Sequence, residues 1–224
     1  MVPIMNVGGS PIISQREYAI ASATAIKTGQ VVKLTAGLIV AAAAAETGQL
    51  LGIAAENHSG TADALDPRAN GTKIMVYDAP DLMFECPAPV ITATAGTATT
   101  VVTNASGGMA AFTADSFNGG WLKLLSKVTA STNTDAVGAQ KLITDFADSS
   151  GTETFTVASA GTANAGDTYS VYPPIGAKLG NLDATIQKLT LSATAAISVK
   201  TVGYDFDREM LRMMIVTHTL GGEE

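Results

Sequence analysis

Residues Thr28 to Ile53 read TGQVVKLTAGLIVAAAAAETGQLLGI, and within them Gly37 to Glu46, GLIVAAAAAE, is the most apolar run of the chain. Helix, membrane segment and strand compete for this run. Alanine has the highest helix propensity, and Gly48 stands where a helix C-cap would. A membrane span fails on length, because Leu38 to Ala45 is eight apolar residues, whereas a spanning helix needs roughly 20. The flanks favour strand. TGQVVKL at Thr28 to Leu34 recurs as TGQLLGI at Thr47 to Ile53, each a turn signature followed by a short apolar run. On this basis Val31 to Thr35 and Leu38 to about Ala42 form a hairpin around Ala36-Gly37, and Leu50 to Ala55 returns after Glu46-Thr47-Gly48.

The same punctuation extends outward. Thr72 to Tyr77 (TKIMVY) alternates, and Leu82 to Cys86 (LMFEC) follows a turn at Asp78 to Asp81; both read as strands. Near the C-terminus Ile186 to Leu191, Ile197 to Val202 and Met210 to Thr219 are strand-like, with YDFDRE as the turn between the last two. Along the final strand Leu211, Met213 and Ile215 share one face and Arg212, Met214 and Val216 the other. One face is expected to be core and the other to meet a partner or a second layer. Pro87 and Pro89, then Pro173 and Pro174, bracket a segment with its own β pattern: Thr99 to Thr103, Trp121 to Ser126, Lys141 to Phe146, Thr154 to Val157 and Thr168 to Tyr172. Prolines cannot donate to a ladder and make natural seams. The expected organisation is an N-terminal arm at 1–13, a discontinuous β domain at 14–87 and 175–224, and an inserted β domain at 88–174.

Composition narrows the function. The chain has 224 residues, only 15% of them charged, and 20 acids against 13 bases give a net charge of -7. That balance repels phosphate backbones and argues against direct nucleic-acid binding. The lone Cys86 excludes an intramolecular disulfide, and MVPIMNVGGSPIISQRE lacks a basic start followed by a long apolar region, so the expectation is a non-secreted protein with no membrane association.

Candidate chemistry has cheaper structural explanations. His58 and His218 lack metal-ligand spacing, which predicts no metal site; His58 reads as a solvent-exposed loop residue and His218 as a packing or edge residue. Cys86 reads as a small buried hydrophobe. Asp205 and Asp207 read as hairpin-turn aspartates, since the spacing of a calcium loop is missing. The pairs Gly8-Gly9, Gly107-Gly108 and Gly119-Gly120 lack the setting of a phosphate loop and count as turns. Asn57-His58-Ser59 and Asn104-Ala105-Ser106 match the glycosylation triplet, which carries little weight without a secretion signal. No catalytic residue, metal or cofactor is expected, and the chain reads as a structural or binding protein.

The series TGQVVKLTAGLIVAAAAAETGQLLGIAAENHSGTAD, followed by GTKIMVYDAPDLMFECPAP, resembles the capsid decoration, or cement, proteins of tailed bacteriophages, as does the closing VKTVGYDFDREMLRMMIVTHTLG. The segment DSFNGGWLKLL to DTYSVYPP is similar to a small β module of phage virion proteins, through Gly119-Gly120, Gly138-Ala139-Gln140, Ile143 with Asp145, and Gly166 to Tyr169. Many decoration proteins are shorter and lack such an insert. The resemblance implies an all-β fold, a small β-barrel or β-tulip-like domain of short strands with a second small β domain inserted and few or short helices. It also implies a homotrimer on the outer capsid surface that bridges major capsid protein subunits, assembled in the bacterial host cytoplasm. In the arm, Pro3, Gly8, Gly9 and Pro11 oppose regular structure, while Val2, Ile4, Met5, Ile12 and Ile13 are the candidate capsid-interface residues, docking along a capsid strand by edge addition or lying over a neighbour. Two other readings are a tail, neck or fibre-associated virion part and a carbohydrate-binding adhesion module using Trp121.

Overall fold

The computed structural model describes residues 2–6, 15–21, 24–42, 49–59, 73–104, 109–110, 114–149, 151–158, 161–180, 182–183, 188–189, 191–192 and 197–216. Among them the fold is all-β, with no α-helix. The strands of the first part are β1 Val2–Asn6, β2 Gln15–Ala19, β3 Val31–Thr35, β4 Leu38–Ala41, β5 Gly52–Ala54, β6 Lys73–Tyr77 and β7 Leu82–Pro87. Then come β8 Val90–Thr92, β9 Ala95–Gly96, β10 Thr100–Asn104, β11 Met109–Ala110, β12 Trp121–Ser126, β13 Gln140–Ser149, β14 Thr152–Val157 and β15 Thr168–Tyr172. The last group is β16 Lys178–Gly180, β17 Leu182–Asp183, β18 Lys188–Leu189, β19 Leu191–Ser192, β20 Ile197–Asp205 and β21 Met210–Ile215.

The opening run is a strand. β3 and β4 pair antiparallel from Thr35 opposite Leu38 to Val32 opposite Ala41. The turn between them holds Ala36 at φ 51° and Gly37 at φ 81°. Two successive left-handed residues give a type I′ turn, whose twist matches that of paired strands. β5 adds on the other side of β3, with Val31 opposite Ile53, completing the sheet β2-β6-β5-β3-β4.

Both faces of this sheet are buried at its centre. Val31, Leu50 and Ile53 enter the main core, while Val32, Leu51 and Ala54 join Ile20, Ile26, Ile39, Ile74 and Val76 in a second, smaller core. That is why these strands read as continuous apolar runs instead of alternating ones. Ala42 belongs to the main core and Ala41 packs on the smaller one; Ala43 to Ala45 lie outside the described residues.

The closed barrel implied by the resemblance does not form among the described residues. The sheet curls until an isolated parallel bridge joins Ile20 to Ile39, with the Ala21 N–H donating to the Ile39 carbonyl at 3.1 Å. One bridge stands where a barrel would need a ladder. One other expectation changes. The arm was expected to resist regular structure, yet Val2–Asn6 is a strand. Of the strand expected at Ile186 to Leu191, Lys188 and Leu189 pair with β17 and Leu191 lies in β19, parallel to β11; Ile186, Gln187 and Thr190 lie outside the described residues.

A seven-stranded sheet, β8-β15-β12-β13-β14-β10-β9, draws all its strands from residues 90–172. Its inner face carries Phe146 and Phe155, with ring centroids 4.9 Å apart and tilted, and Phe117 from the turn before β12 packs edge-on against them at 4.8 and 5.5 Å, a geometry favoured by aromatic quadrupoles. The third sheet, β1-β7-β21-β20-β16, turns Leu82, Phe84, Cys86, Leu211, Met213 and Ile215 into the same core. The face assignment expected for the final strand therefore holds over Met210–Ile215; Thr217 to Thr219 lie outside the described residues.

The type I′ turn yields a stability test. Ala36 is an L-residue with a side chain held in the left-handed region, which Asn tolerates better. Ala36→Asn should stabilise the chain by roughly 0.5–1 kcal/mol, read as a higher urea midpoint at unchanged slope; a lower midpoint would contradict the turn assignment.

Candidate functional site

β1 occupies one edge of its sheet. It pairs antiparallel with β7, Val2 opposite Glu85, Pro3 opposite Phe84, Met5 opposite Met83 and Asn6 opposite Leu82, and the register shifts between Pro3 and Met5. Ile4 is thus the extra residue of a bulge. Pro3 has no N–H, which confines such a strand to an edge. Of the candidate interface residues, Val2, Ile4 and Met5 come together in this one strand, while Ile12 and Ile13 lie outside the described residues. Edge addition was expected onto another protein; in the structure the strand adds to the chain's own β7. No strand covers its outer edge among the described residues. An open edge of N–H and C=O groups is a template for pairing.

Beside β1 lies a charged cluster that sequence reading missed. Glu85 is only 3% exposed, although it points to the outer face of its sheet. Arg208 Nη1 donates to its Oε2 at 2.6 Å, and Arg212 Nε lies 3.4 Å from its Oε1. Arg208 is placed by the β20–β21 turn, where its N–H donates to Asp205 Oδ1 at 3.1 Å. Asp205 Oδ2 stands 3.8 Å from Arg208 and 3.9 Å from Arg212. Asp205, expected in the turn, is the last residue of β20 opposite Met210; its carboxylate caps the turn that follows and helps hold the two arginines. Their exposed heads present a polar surface over a buried carboxylate whose charge they balance.

The same turn reaches across to the seven-stranded sheet. Phe206 packs edge-on against Tyr172 at 4.7 Å and Trp121 at 6.1 Å, and Tyr204 lies 5.8 Å from Tyr172. Lys123 Nζ donates to the Phe206 carbonyl at 2.7 Å, and Tyr204 Oη donates to the Pro173 carbonyl at 2.5 Å. Trp121 is thus one wall of an internal aromatic clamp.

The remaining candidates find structural roles. His58 is not the exposed loop residue expected: it is 6% exposed, because its backbone forms a two-way bridge with Ile26, both bonds 2.7 Å. Its Nδ1 lies 2.8 Å from the Thr24 carbonyl. Cys86 is buried, and burial, with Glu85 adding to it, pushes its thiol up to about 12, so it stays a thiol. Asn57 Oδ1 accepts the Thr28 N–H at 2.8 Å. Gly119, at φ 83°, occupies a turn; His218, Gly8, Gly9, Gly107 and Gly108 lie outside the described residues. Among the described residues no group of three or more His, Cys, Asp and Glu side chains is arranged to hold a metal ion, and no helix is long and apolar enough to cross a membrane.

One titratable group is anomalous. Glu153 is 0% exposed, and among the described residues neither carboxylate oxygen has a hydrogen-bond partner. It faces inward on β14 between Thr103 of β10 and Asp148 of β13. Burial first, and the Asp148 charge second, push its carboxyl up to about 7. Compared with family models, with curated proteins and with solved structures, the chain gives no match.

A raised carboxyl pKa means the folded state holds the proton more tightly than the unfolded chain. Its stabilising contribution is complete below the ordinary value of 4.5 and is lost as pH rises to about 7. Glu153→Gln should therefore match the wild type near pH 4 and exceed it at pH 8, by on the order of 1–3 kcal/mol. Urea unfolding at both pH values measures this; equal stabilities at pH 8 would contradict the buried, unpartnered carboxylate.

Proposed function

We propose that this chain is a structural virion protein that decorates and stabilises the outer surface of a tailed-phage capsid. As a homotrimer at three-fold or pseudo-three-fold positions, it bridges neighbouring major capsid subunits. The observation that carries this reading is β1, an N-terminal strand seated at a sheet edge with its outer edge free of strands among the described residues. It supplies the edge-addition surface that a capsid-binding arm needs, at the position where the resemblance puts it.

Further support comes from the hairpin series Val31–Ala54, whose strands carry the residues on which the resemblance to decoration proteins rests. A capsid strand laid along β1 would extend the sheet by main-chain hydrogen bonds, which recognise backbone in place of any particular side chain. Glu85 on β7, Arg212 on β21 and Arg208 in the β20–β21 turn provide a charged rim that fixes register. Three such contacts in one trimer add by avidity, because after the first engages the others are effectively intramolecular. Load from packaged DNA would pass into the apolar core through β7, the strand to which β1 is bonded. No chemistry on a substrate is required.

The test uses the purified chain with empty heads of its phage. The full chain should be trimeric by light scattering and should bind expanded heads but not unexpanded ones; a variant lacking residues 1–13 should lose binding by about tenfold or more, the equivalent of about 1.4 kcal/mol. Undiminished binding by the shortened chain would reject the β1 surface. Label confined to the tail in electron micrographs of virions would reject decoration itself.

A further inference from the structure

The inner face of the seven-stranded sheet carries a lysine. Lys141 lies on β13 directly opposite Leu122 of β12, on the same face as Ile143, and is 5% exposed. Its Nζ is in contact with the carboxylate of Asp135, a side chain only 16% exposed, in the connection between β12 and β13.

The surroundings hold that carboxylate in place. The Asp135 N–H donates to Asn133 Oδ1 at 3.0 Å, and Lys127 Nζ donates to the Asp135 carbonyl at 2.9 Å and to the Asn133 carbonyl at 3.1 Å. Asn133 is itself fixed, since its Nδ2 donates to Tyr169 Oη at 3.0 Å and to Asp167 Oδ2 at 3.2 Å. Burial pushes the Asp167 carboxyl up, but bonds from the Asn164 and Val128 N–H groups, Asn133 and Ser131 outweigh it and hold the carboxyl below its ordinary value. Asp167 therefore remains an ionised anchor for the loop. Gly161 closes the site: a side chain there would occupy the space of the Asp135 carboxylate and the Asn133 amide oxygen.

The geometry points to an intramolecular isopeptide bond between Lys141 Nζ and Asp135 Cγ. A buried amine and a buried carboxyl held in contact have the orientation that gives intramolecular reactions effective molarities of about 10⁵ M or more. Loss of water from the pair would also remove two charges from a poorly hydrated place. The step balances without a co-reactant. A proton passes from the Lys141 ammonium to the Asp135 carboxylate; the freed amine adds to Cγ; a second proton from nitrogen joins the departing oxygen. The Nζ–Cγ bond forms, one Cγ–O bond breaks, and water leaves. Nothing is oxidised or reduced, and the net charge is unchanged.

Asn133 acts as a positioning residue, and the bond would fasten the β12–β13 connection covalently in a chain whose single cysteine cannot form an internal disulfide. The inference does not depend on the proposed capsid role.

Intact-mass spectrometry of the purified, denatured chain tests it. The expected mass is lower than the sequence mass by one water, and trypsin should fail to cut after Lys141, leaving residues 128–178 as one lightened peptide. Lys141→Arg, which keeps the charge but cannot acylate in this way, and Asp135→Ala should both restore the full sequence mass. A wild-type chain at full mass would overturn the bond. So would a lightened chain that trypsin still cuts after Lys141, because that pattern belongs to a succinimide at an aspartate.

Discussion

Everything else in this molecule rests on one shared apolar core. The first sheet encloses a small core of its own, but the strands are short and aromatic residues make up only 5% of the chain, so the larger core has to be shared. The solution is to face three sheets into one volume. Val31 and Ile53 from the first sheet, Phe84 and Leu211 from the sheet bearing β1, and Phe146 and Phe155 from the seven-stranded sheet belong to a single cluster. Each fully buried side chain of this size contributes roughly 1.5–3 kcal/mol, and most of that would be lost if the sheets parted. The aromatic clamp of Trp121, Tyr172, Tyr204 and Phe206 adds a second junction between the sheet bearing β1 and the seven-stranded sheet.

This constraint links the fold to the proposed role. A protein that braces a shell needs a stiff path from its contact strand to its body. β1 is bonded to β7 and β7 to β21, and the inward side chains of β7 and β21 lie in the shared core. The polar features that have a cost in isolation are arranged around that path. Glu85 is buried but balanced by two arginines, whereas Glu153, on β14 of the seven-stranded sheet, is buried with no hydrogen-bond partner among the described residues.

How much of this could be read from the sequence differs from strand to strand. Trp121–Ser126 and Thr168–Tyr172 were legible to the residue, because polar turns bound short β-rich runs. The Ala36-Gly37 hairpin was legible from the repeated Thr-Gly-Gln turns. Gln15–Ala19 was not: QREYA is mostly exposed and is a strand only because β6 lies beside it, a pairing across nearly sixty residues of chain. β13 hides its pattern differently, since a bulge between Ile143 and Asp145 shifts the alternation so that Phe146 and not Asp145 turns inward. The candidate surface was half legible. The apolar residues of the arm were visible, but that the arm closes onto β7 beside Glu85 depends on contacts no local pattern encodes. The burial of His58, Lys141 and Glu153 was hidden for the same reason, because polar residue types predict exposure until long-range pairing covers them.

Hydrogen exchange of the native chain in rising, sub-denaturing urea measures the central claim most directly. If one core joins the sheets, the slowest amides of the seven-stranded sheet, such as Leu122 and Tyr169, and those of the sheet bearing β1, such as Phe84 and Met213, should converge on a single opening free energy. Two separate plateaus, with residues 90–172 opening independently of the rest, would contradict it.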